Sequence, residues 1–164
     1  MSEWPGSLRS SRLSLGRLQA ADVAPERQPD WLAEAERAVL GADPGCPLSP
    51  LVDAGDAAYW IRVKLDGDRG LTSVGACAAR LEARDLVWSW LAVGDPWRAF
   101  GYGGAAVPLV ERAALGQGAQ VSRVRVPASN GVALYFWLRL GYRTARDENR
   151  WGEPYPGTWM SRTL

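Results

Sequence analysis

A glycine-rich turn between a strand-like and a helix-like segment constrains this chain more than any other feature. Residues 91–142 predict a strand, this turn, a helix, a second strand and a second helix in uninterrupted order. The turn, residues 98–104, has the pattern R-x-x-G-x-G-G. A glycine turn that opens a helix points several N–H groups outward, at the end of the helix that carries partial positive charge. It therefore predicts a site for a phosphate or pyrophosphate.

The turn alone does not identify its ligand. No Lys-Ser or Lys-Thr follows the last glycine, so the segment is not a P-loop, and the G-x-G-x-x-G spacing of dinucleotide-binding turns is missing. A plain strand-to-helix turn explains this segment by itself equally well.

A second motif follows in residues 130–142, NGVALYFWLRLGY. Together the two motifs resemble the signatures of the GNAT superfamily of acetyl-coenzyme A-dependent N-acetyltransferases, Q/R-x-x-G-x-G/A and N-x-x-A-x-x-F-Y-x-K-x-G-F. The resemblance extends more loosely to the flanks and covers nearly the whole chain. It is carried by Arg98, Gly101 and Gly103 in the first motif and by Asn130, Ala133, Phe136, Arg139, Gly141 and Tyr142 in the second.

The resemblance implies an α/β fold with a central mixed, mostly antiparallel sheet of about six or seven strands flanked by helices. It also implies one acyltransferase domain over residues 1–164. From their own pattern, residues 1–10 are expected to be a flexible tail. The implied activity is transfer of an acetyl group from acetyl-coenzyme A to a primary amine of a small molecule by direct attack. The alternatives are a protein that binds or senses acyl-coenzyme A with little turnover, and a transferase that uses another activated acyl donor.

Composition restricts the partners. The net charge of +1 offers no electrostatic surface for nucleic acid, and no apolar run is long enough to span a bilayer. The first residues lack an apolar signal core, so we expect a cytoplasmic protein that interacts with neither nucleic acid nor membrane. The chain has no histidine, which excludes His-dependent triads and His-ligated metal, and we expect no metal site. Association as a homodimer is left open.

Periodicity and turn residues predict the remaining elements. A helix over 31–40 and a loop over 43–50 follow the first strand, and a hairpin turn lies at 66–70. Pro108 falls inside the helix that follows the glycine turn, where we expect a local kink rather than a break. Ser129 or Asn130 caps the next helix. The predicted strands are 12–18, 59–65, 71–82 (interrupted at Gly75), 86–93, 121–126, 142–146 and 159–164.

The resemblance also implies the residues that bind the coenzyme. In this family the central strand splays from its neighbour, and its free backbone pairs with the pantetheine arm, while the glycine turn holds the pyrophosphate. Asn130 faces the pantetheine amides, caps its helix, or does both. The residues implied are Leu91, Ala92, Val93, Arg98, Ala99, Phe100, Gly101, Tyr102, Gly103, Gly104, Asn130, Ala133 and Trp137.

Two positions depart from the family pattern. Trp137 stands where many members have a tyrosine that protonates the leaving thiolate, and an indole N–H is not a proton source near neutral pH. Val87 stands where some members have a glutamate that deprotonates the amine through water. Asp85 and Ser89 share a strand face with Val87 and are weak candidates for a base. Glu82 is a more distant one.

Nine tryptophans are unusually many for a chain of this length. Strict alternation places Trp88 and Trp90 on one face, next to Trp60 on a neighbouring strand. Most of these rings are expected in the core, and the alternative is an aromatic pocket for the acceptor. Carboxylates of a late loop, Asp147, Glu148 and Glu153, would attract a cationic amine. The candidate acceptor residues are Trp60, Trp88, Glu153 and Tyr155.

Overall fold

The computed structural model describes residues 3–19, 22, 29, 31–32, 57–67, 69–145 and 157–164 of the chain. In this part of the chain eight strands form one sheet, with two helices. Neither helix is long and apolar enough to cross a membrane. The strands are β1 Ser7–Arg9, β2 Ser14–Arg17, β3 Ala57–Val63, β4 Thr72–Glu82, β5 Asp85–Val93, β6 Val121–Pro127, β7 Arg143–Thr144 and β8 Gly157–Thr163, and the helices are α1 Tyr102–Gly116 and α2 Gly131–Arg139.

The sheet has the order β1-β2-β3-β4-β5-β6-β8-β7. Every neighbouring pair is antiparallel except β5 and β6, which are parallel. A parallel pair needs a long crossover, and α1 supplies it. The predicted α/β fold with a mixed, mostly antiparallel sheet is therefore confirmed, with eight strands among the described residues in place of six or seven.

The extra strand lies at the N-terminus. Residues 1–10 are predicted to be a flexible tail, but Ser7–Arg9 pairs with Ser14–Arg17 as the edge strand of the sheet. Three residues carry too little hydrophobic alternation to be recognised as a strand, and the pairing with β2 is what orders them. Their hairpin is closed by Ser10, whose Oγ accepts hydrogen bonds from the N–H groups of Arg12 and Leu13.

Several predicted boundaries shift. The strand predicted at 142–146 is reduced to Arg143–Thr144 among the described residues. β4 continues through Gly75 without interruption. Glycine is required there by the close approach of β5, since a Cβ would lie 2.6 Å from the carbonyl oxygen of Ala92. α1 continues through Pro108, as expected. Trp31 and Leu32 are helical, and the rest of the predicted helix, like the loop at 43–50, lies outside the described residues.

The sheet buries side chains on both faces, and a β-bulge decides which residues of β5 lie on which face. Trp88 packs in the cluster that contains the α1 side chains, whereas Trp90 packs with Trp60 in a second cluster. The prediction that Trp88 and Trp90 share a face is therefore wrong. The register shifts between Ala78 and Ala79, which pair with Trp90 and Trp88, so Ser89 is an extra residue that reverses the alternation.

A buried polar network fastens α1 to the sheet and to the end of α2. The hydroxyl of Tyr142 donates to Glu111 Oε1 at 2.7 Å and lies 2.5 Å from Ser122 Oγ. The indole N–H of Trp88 donates to both hydroxyls, at 3.0 and 2.9 Å. Arg162 forms an ion pair with the other carboxylate oxygen of Glu111. Burial raises the pKa of Tyr142, so its hydroxyl keeps its proton and acts as a donor throughout the physiological range.

Removing this hydroxyl should cost stability. Tyr142→Phe leaves the buried carboxylate of Glu111 without one donor, a loss of about 1–3 kcal/mol in the free energy of unfolding. Tyr135→Phe is the matched control, because Tyr135 is 63% exposed and surface changes usually stay within about 0.5 kcal/mol. Urea unfolding of the three proteins measures the difference. Equal stabilities would show that the network does not hold the fold.

Candidate functional site

The central opening of the fold lies where β5 and β6 separate. The two strands pair from Asp85 and Val121 as far as Trp88 and Val124, and the register goes no further. The bulge at Ser89 follows immediately. A β-bulge bends its strand and disrupts the ladder of hydrogen bonds, which accounts for the end of the pairing. Beyond it, residues 91–93 pair with β4 on one side only among the described strands. Their other edge is available to a ligand.

The glycine turn follows this free edge. A short 3₁₀ helix, Asp95–Trp97, leads into it. Two of its residues have left-handed backbone conformations, Ala99 with φ 66° and Gly101 with φ 80°. Gly101 is the N-cap of α1, and the N–H groups of the first turn of a helix have no acceptors within the helix. The turn therefore presents backbone donors at the positive end of α1, as predicted.

The second helix forms the opposite wall. Asn130 is its N-cap, and its Oδ1 accepts the N–H of Ala133 at 2.9 Å. This bond decides between the two predicted caps in favour of Asn130 over Ser129. The side-chain amide NH₂ group of Asn130 is left to face other partners. Ala133, Phe136 and Arg139 follow along the same face of α2 with the spacing of a helical stripe.

These three walls enclose one cleft of about 790 Å³. Of the thirteen predicted coenzyme-binding residues, all but Phe100 line it. Phe100 instead points outward, 60% exposed, with its ring stacked on Tyr102 at 6.0 Å between centroids. The lining consists of Leu91, Ala92, Val93, Trp97, Arg98, Ala99, Gly101, Tyr102, Gly103, Gly104, Asn130, Val132, Ala133, Phe136, Trp137, Arg139 and Leu140.

Sequence reasoning missed part of this lining. Phe136 and Arg139 are recognised in the motif but were not predicted to face the cleft, and Trp97, Val132 and Leu140 were not singled out. The helical period of α2 contains the signal, since positions 132, 136 and 140 are spaced by four and positions 133, 136 and 139 by three. Trp97 follows from no local pattern.

The charge of the cleft favours an anion. Its described lining includes two arginines and no carboxylate. Arg98 is held by internal contacts: its Nη1 pairs with Asp95, and its Nε donates to the carbonyl oxygen of Val93 at 3.1 Å. Arg139 lies 5.9 Å from the ring centroid of Tyr135, with its guanidinium over the ring. The charge of Arg98 is thus partly neutralised before any ligand arrives.

None of the candidate bases lines the cleft. Asp85 forms an ion pair with Arg123 at 2.8 Å. Asp85 is the first residue of β5, and at 3.3 Å per residue it lies roughly 20 Å from Leu91. Arg80 donates to Glu82 and, at 3.4 Å, to Ser89 Oγ. These partners occupy all three candidates, and the structure does not bring Asp85 or Glu82 to the free edge of β5.

The aromatic candidates divide between two environments. Trp88 is 3% exposed and has both of its hydrogen bonds inside the polar network, so it does not reach the cleft. Trp137 borders the cleft but is also buried, with Tyr142 and Trp88 at 4.8 and 5.6 Å between ring centroids. Trp60 lies in the second cluster, edge-to-face with Trp31 at 6.3 Å. Trp31 in turn contacts Trp97 at 6.4 Å.

The remaining acceptor candidates lie outside the described residues. These are Glu153 and Tyr155, together with Asp147 and Glu148 of the same loop. Their predicted roles remain predictions.

Comparison with known proteins shows the fold. No family model matches the chain, and no curated protein matches it. A probable acetyltransferase of the GNAT family from Chromobacterium violaceum superposes with a TM-score of 0.70 at 17% identity, over 99% of this chain and 88% of that one. An acetyltransferase from Thermus thermophilus gives a TM-score of 0.63 at 23% identity, over 93% and 97%.

A third similar structure contains the ligand that the motifs imply. A GNAT family acetyltransferase from Elizabethkingia anophelis with acetyl-CoA bound gives a TM-score of 0.65 at 15% identity, over 94% of this chain and 100% of that one. At identities this low, the superpositions establish the fold, and the activity has to be argued from the site. The resemblance found in the two motifs is confirmed as a fold: the chain has the fold of the GNAT acetyltransferases.

The role of Asn130 as a helix cap can be tested separately from any ligand. Asn130→Ala removes the oxygen that accepts from Ala133 and should cost about 1 kcal/mol in the free energy of unfolding. Asn130→Asp keeps a capping oxygen and should unfold like the wild type. Urea titration of the unliganded proteins checks this. An equal loss in both variants would show that the cap is not what the side chain contributes.

Proposed function

We propose that this chain is a GNAT-type N-acetyltransferase that moves an acetyl group from acetyl-coenzyme A to a primary amine of a small molecule. The observation that carries the proposal is the free edge of β5 leading directly into the glycine turn. An extended amide chain ending in a diphosphate needs both features, in this order. The free edge offers backbone partners to the amides, and the start of α1 offers donors to the diphosphate.

The residues present fit this ligand. Residues 91–93 and Asn130 would hold the pantetheine arm between β5 and α2, and residues 98–104 would hold the diphosphate. The fit has a steric signature, because a Cβ on Gly103 would lie 3.2 Å from Leu91 Cδ2 and 3.5 Å from Phe136. A side chain at this position would fill the cleft between its walls.

The chemistry is an acyl transfer between two held partners. When bound, acetyl-coenzyme A supplies a thioester whose carbonyl carbon forms the new bond to the amine nitrogen while the C–S bond breaks to release the coenzyme thiol. The chain's contribution is position: holding both partners makes the attack effectively unimolecular. Backbone N–H groups near Val93 would polarise the carbonyl. No described carboxylate lines the cleft, so the proton of the amine leaves to water or to a residue outside the described part.

The aromatic surface beside the cleft supports an acceptor with an apolar body. Trp97 lines the cleft and contacts Trp31, and Trp31 in turn contacts Trp60. Aromatic faces attract ammonium groups and also accept apolar surface. We therefore propose a small amphipathic amine as acceptor, in preference to a phosphorylated sugar or a peptide tail.

A second function is favoured by Trp137. The residue occupies the position of the usual tyrosine and is packed among other rings, without a phenol that could donate a proton. A protein that binds acyl-coenzyme A with little turnover would tolerate this change. Incubation with acetyl-coenzyme A and a panel of amines (an arylalkylamine, an aliphatic diamine, a phosphorylated amino sugar and a peptide), with detection of free thiol, separates the two. Coenzyme binding without thiol release for any amine would establish the second function.

Coenzyme binding should depend on the space at Gly103. Gly103→Asp adds bulk and negative charge beside the proposed diphosphate site and should weaken coenzyme A binding by roughly tenfold or more. Gly116→Asp is the matched control: it makes the same change in the same helix, where a Cβ has no neighbour within 4 Å. Calorimetric titration measures both dissociation constants. Unchanged affinity in folded Gly103→Asp would remove the proposed site.

Turnover should not depend on the indole at position 137. If no protein acid protonates the leaving thiolate, Trp137→Phe should keep the single-turnover rate within about threefold, because both residues lack a proton source. Trp137→Tyr should raise the rate, since a positioned phenol restores a general acid. Rapid-quench measurement at saturating coenzyme tests both. Loss of the chemical step in folded, coenzyme-binding Trp137→Phe would contradict the assignment.

A further inference from the structure

Arg12 reaches the glycine turn from a distant part of the chain. It belongs to the hairpin between β1 and β2, and its Nη2 donates to the carbonyl oxygen of Phe100 at 2.9 Å. A Cβ on Gly101 would lie 3.7 Å from Arg12 Nη1, so the guanidinium lies against the turn. The tight hairpin fixes its starting point, because Ser10 Oγ accepts the backbone N–H of Arg12 at 3.2 Å.

This contact sets the orientation of one peptide group. No peptide bond in the described chain is cis, so the carbonyl of Phe100 and the N–H of Gly101 point in opposite directions. Arg12 does not line the cleft, whereas Gly101 does. With the carbonyl held on the Arg12 side, the N–H of Gly101 faces away from Arg12. No backbone group among the described residues accepts it.

The turn contains a strained residue next to the peptide group that Arg12 contacts. Ala99 has φ 66°, a left-handed conformation that is unfavourable for a residue with a Cβ and costs about 1 kcal/mol or more. Strained positions persist where surrounding contacts determine them. Arg98, the arginine within the turn itself, does not hold the carbonyl of Phe100, since it is engaged with Asp95 and with the carbonyl of Val93.

We propose that Arg12 is a positioning residue for the anionic part of the coenzyme: it holds the peptide between Phe100 and Gly101 so that the Gly101 N–H is presented to the diphosphate. The inference rests on the proposed function, and it assigns to the N-terminal hairpin a part in ligand binding. No carboxylate in the described structure pairs with Arg12, so its charge also remains to favour a nearby anion.

The test measures coenzyme A dissociation constants by calorimetry for the wild type, Arg12→Met, Arg12→Lys and Arg9→Met. Arg12→Met should weaken binding about tenfold, which equals about 1.4 kcal/mol. Arg12→Lys retains a charged donor and should recover most of this loss. Arg9→Met is the matched control, because Arg9 is an exposed arginine of the same hairpin and makes the same change in net charge. Urea midpoints of all four should agree, since Arg12 is exposed.

The outcomes separate the inference from the proposed function. Absence of coenzyme A binding by the wild type would end both. Tight binding by the wild type and by Arg12→Met alike would overturn the role of Arg12 and leave the proposed function standing. An equal loss in Arg12→Met and Arg9→Met would show a general charge effect, and failure of Arg12→Lys to recover affinity alongside a lowered urea midpoint would show a merely structural role. Either result overturns the inference.

Discussion

β5 pairs with β6 over only its first half, and the cleft depends on this separation. Up to Trp88 the two strands satisfy each other's backbone groups. The bulge at Ser89 follows, and the register of β5 with β6 ends at Trp88 and Val124. A strand edge left open inside a sheet is costly unless something pairs with it, because unpaired backbone donors and acceptors lose hydrogen bonds. The opening is therefore the feature of this fold on which the proposed binding of an extended, amide-containing ligand rests.

A buried polar network joins the elements around that opening. Tyr142, Ser122, Trp88 and Glu111 join β5, β6, α1 and the end of α2 by buried hydrogen bonds, and Arg162 adds a charge from β8. Burial raises the pKa of Glu111, although the ion pair and the tyrosine hydrogen bond oppose the shift. A satisfied network of this kind resists rearrangement because breaking any one bond leaves a buried polar group unpaired. It joins β5 and α1, which border the cleft, to the segment that follows α2.

The accuracy of the sequence-based prediction follows the range of the interactions involved. The glycine turn, a helix cap at Ser129 or Asn130 and the order of the central elements were predictable, because each depends on residues within a few positions of one another. The strand Ser7–Arg9 was missed because its pairing with β2, rather than its own pattern, makes it a strand. The faces of Trp88 and Trp90 were assigned wrongly, since alternation assumes a regular strand and a single extra residue reverses it.

By itself, the sequence determined that a glycine turn opens a helix, that a capped helix follows one strand later, and that this chain supplies no histidine. Only the tertiary structure decided which backbone is left unpaired and that Arg12 meets the carbonyl of Phe100 across 88 positions of the chain. Turns and caps are set by local backbone geometry, which neighbouring residues specify. Strand separation and long-range contacts exist only when distant segments are brought together, because no local preference records which partner a strand or a side chain will meet.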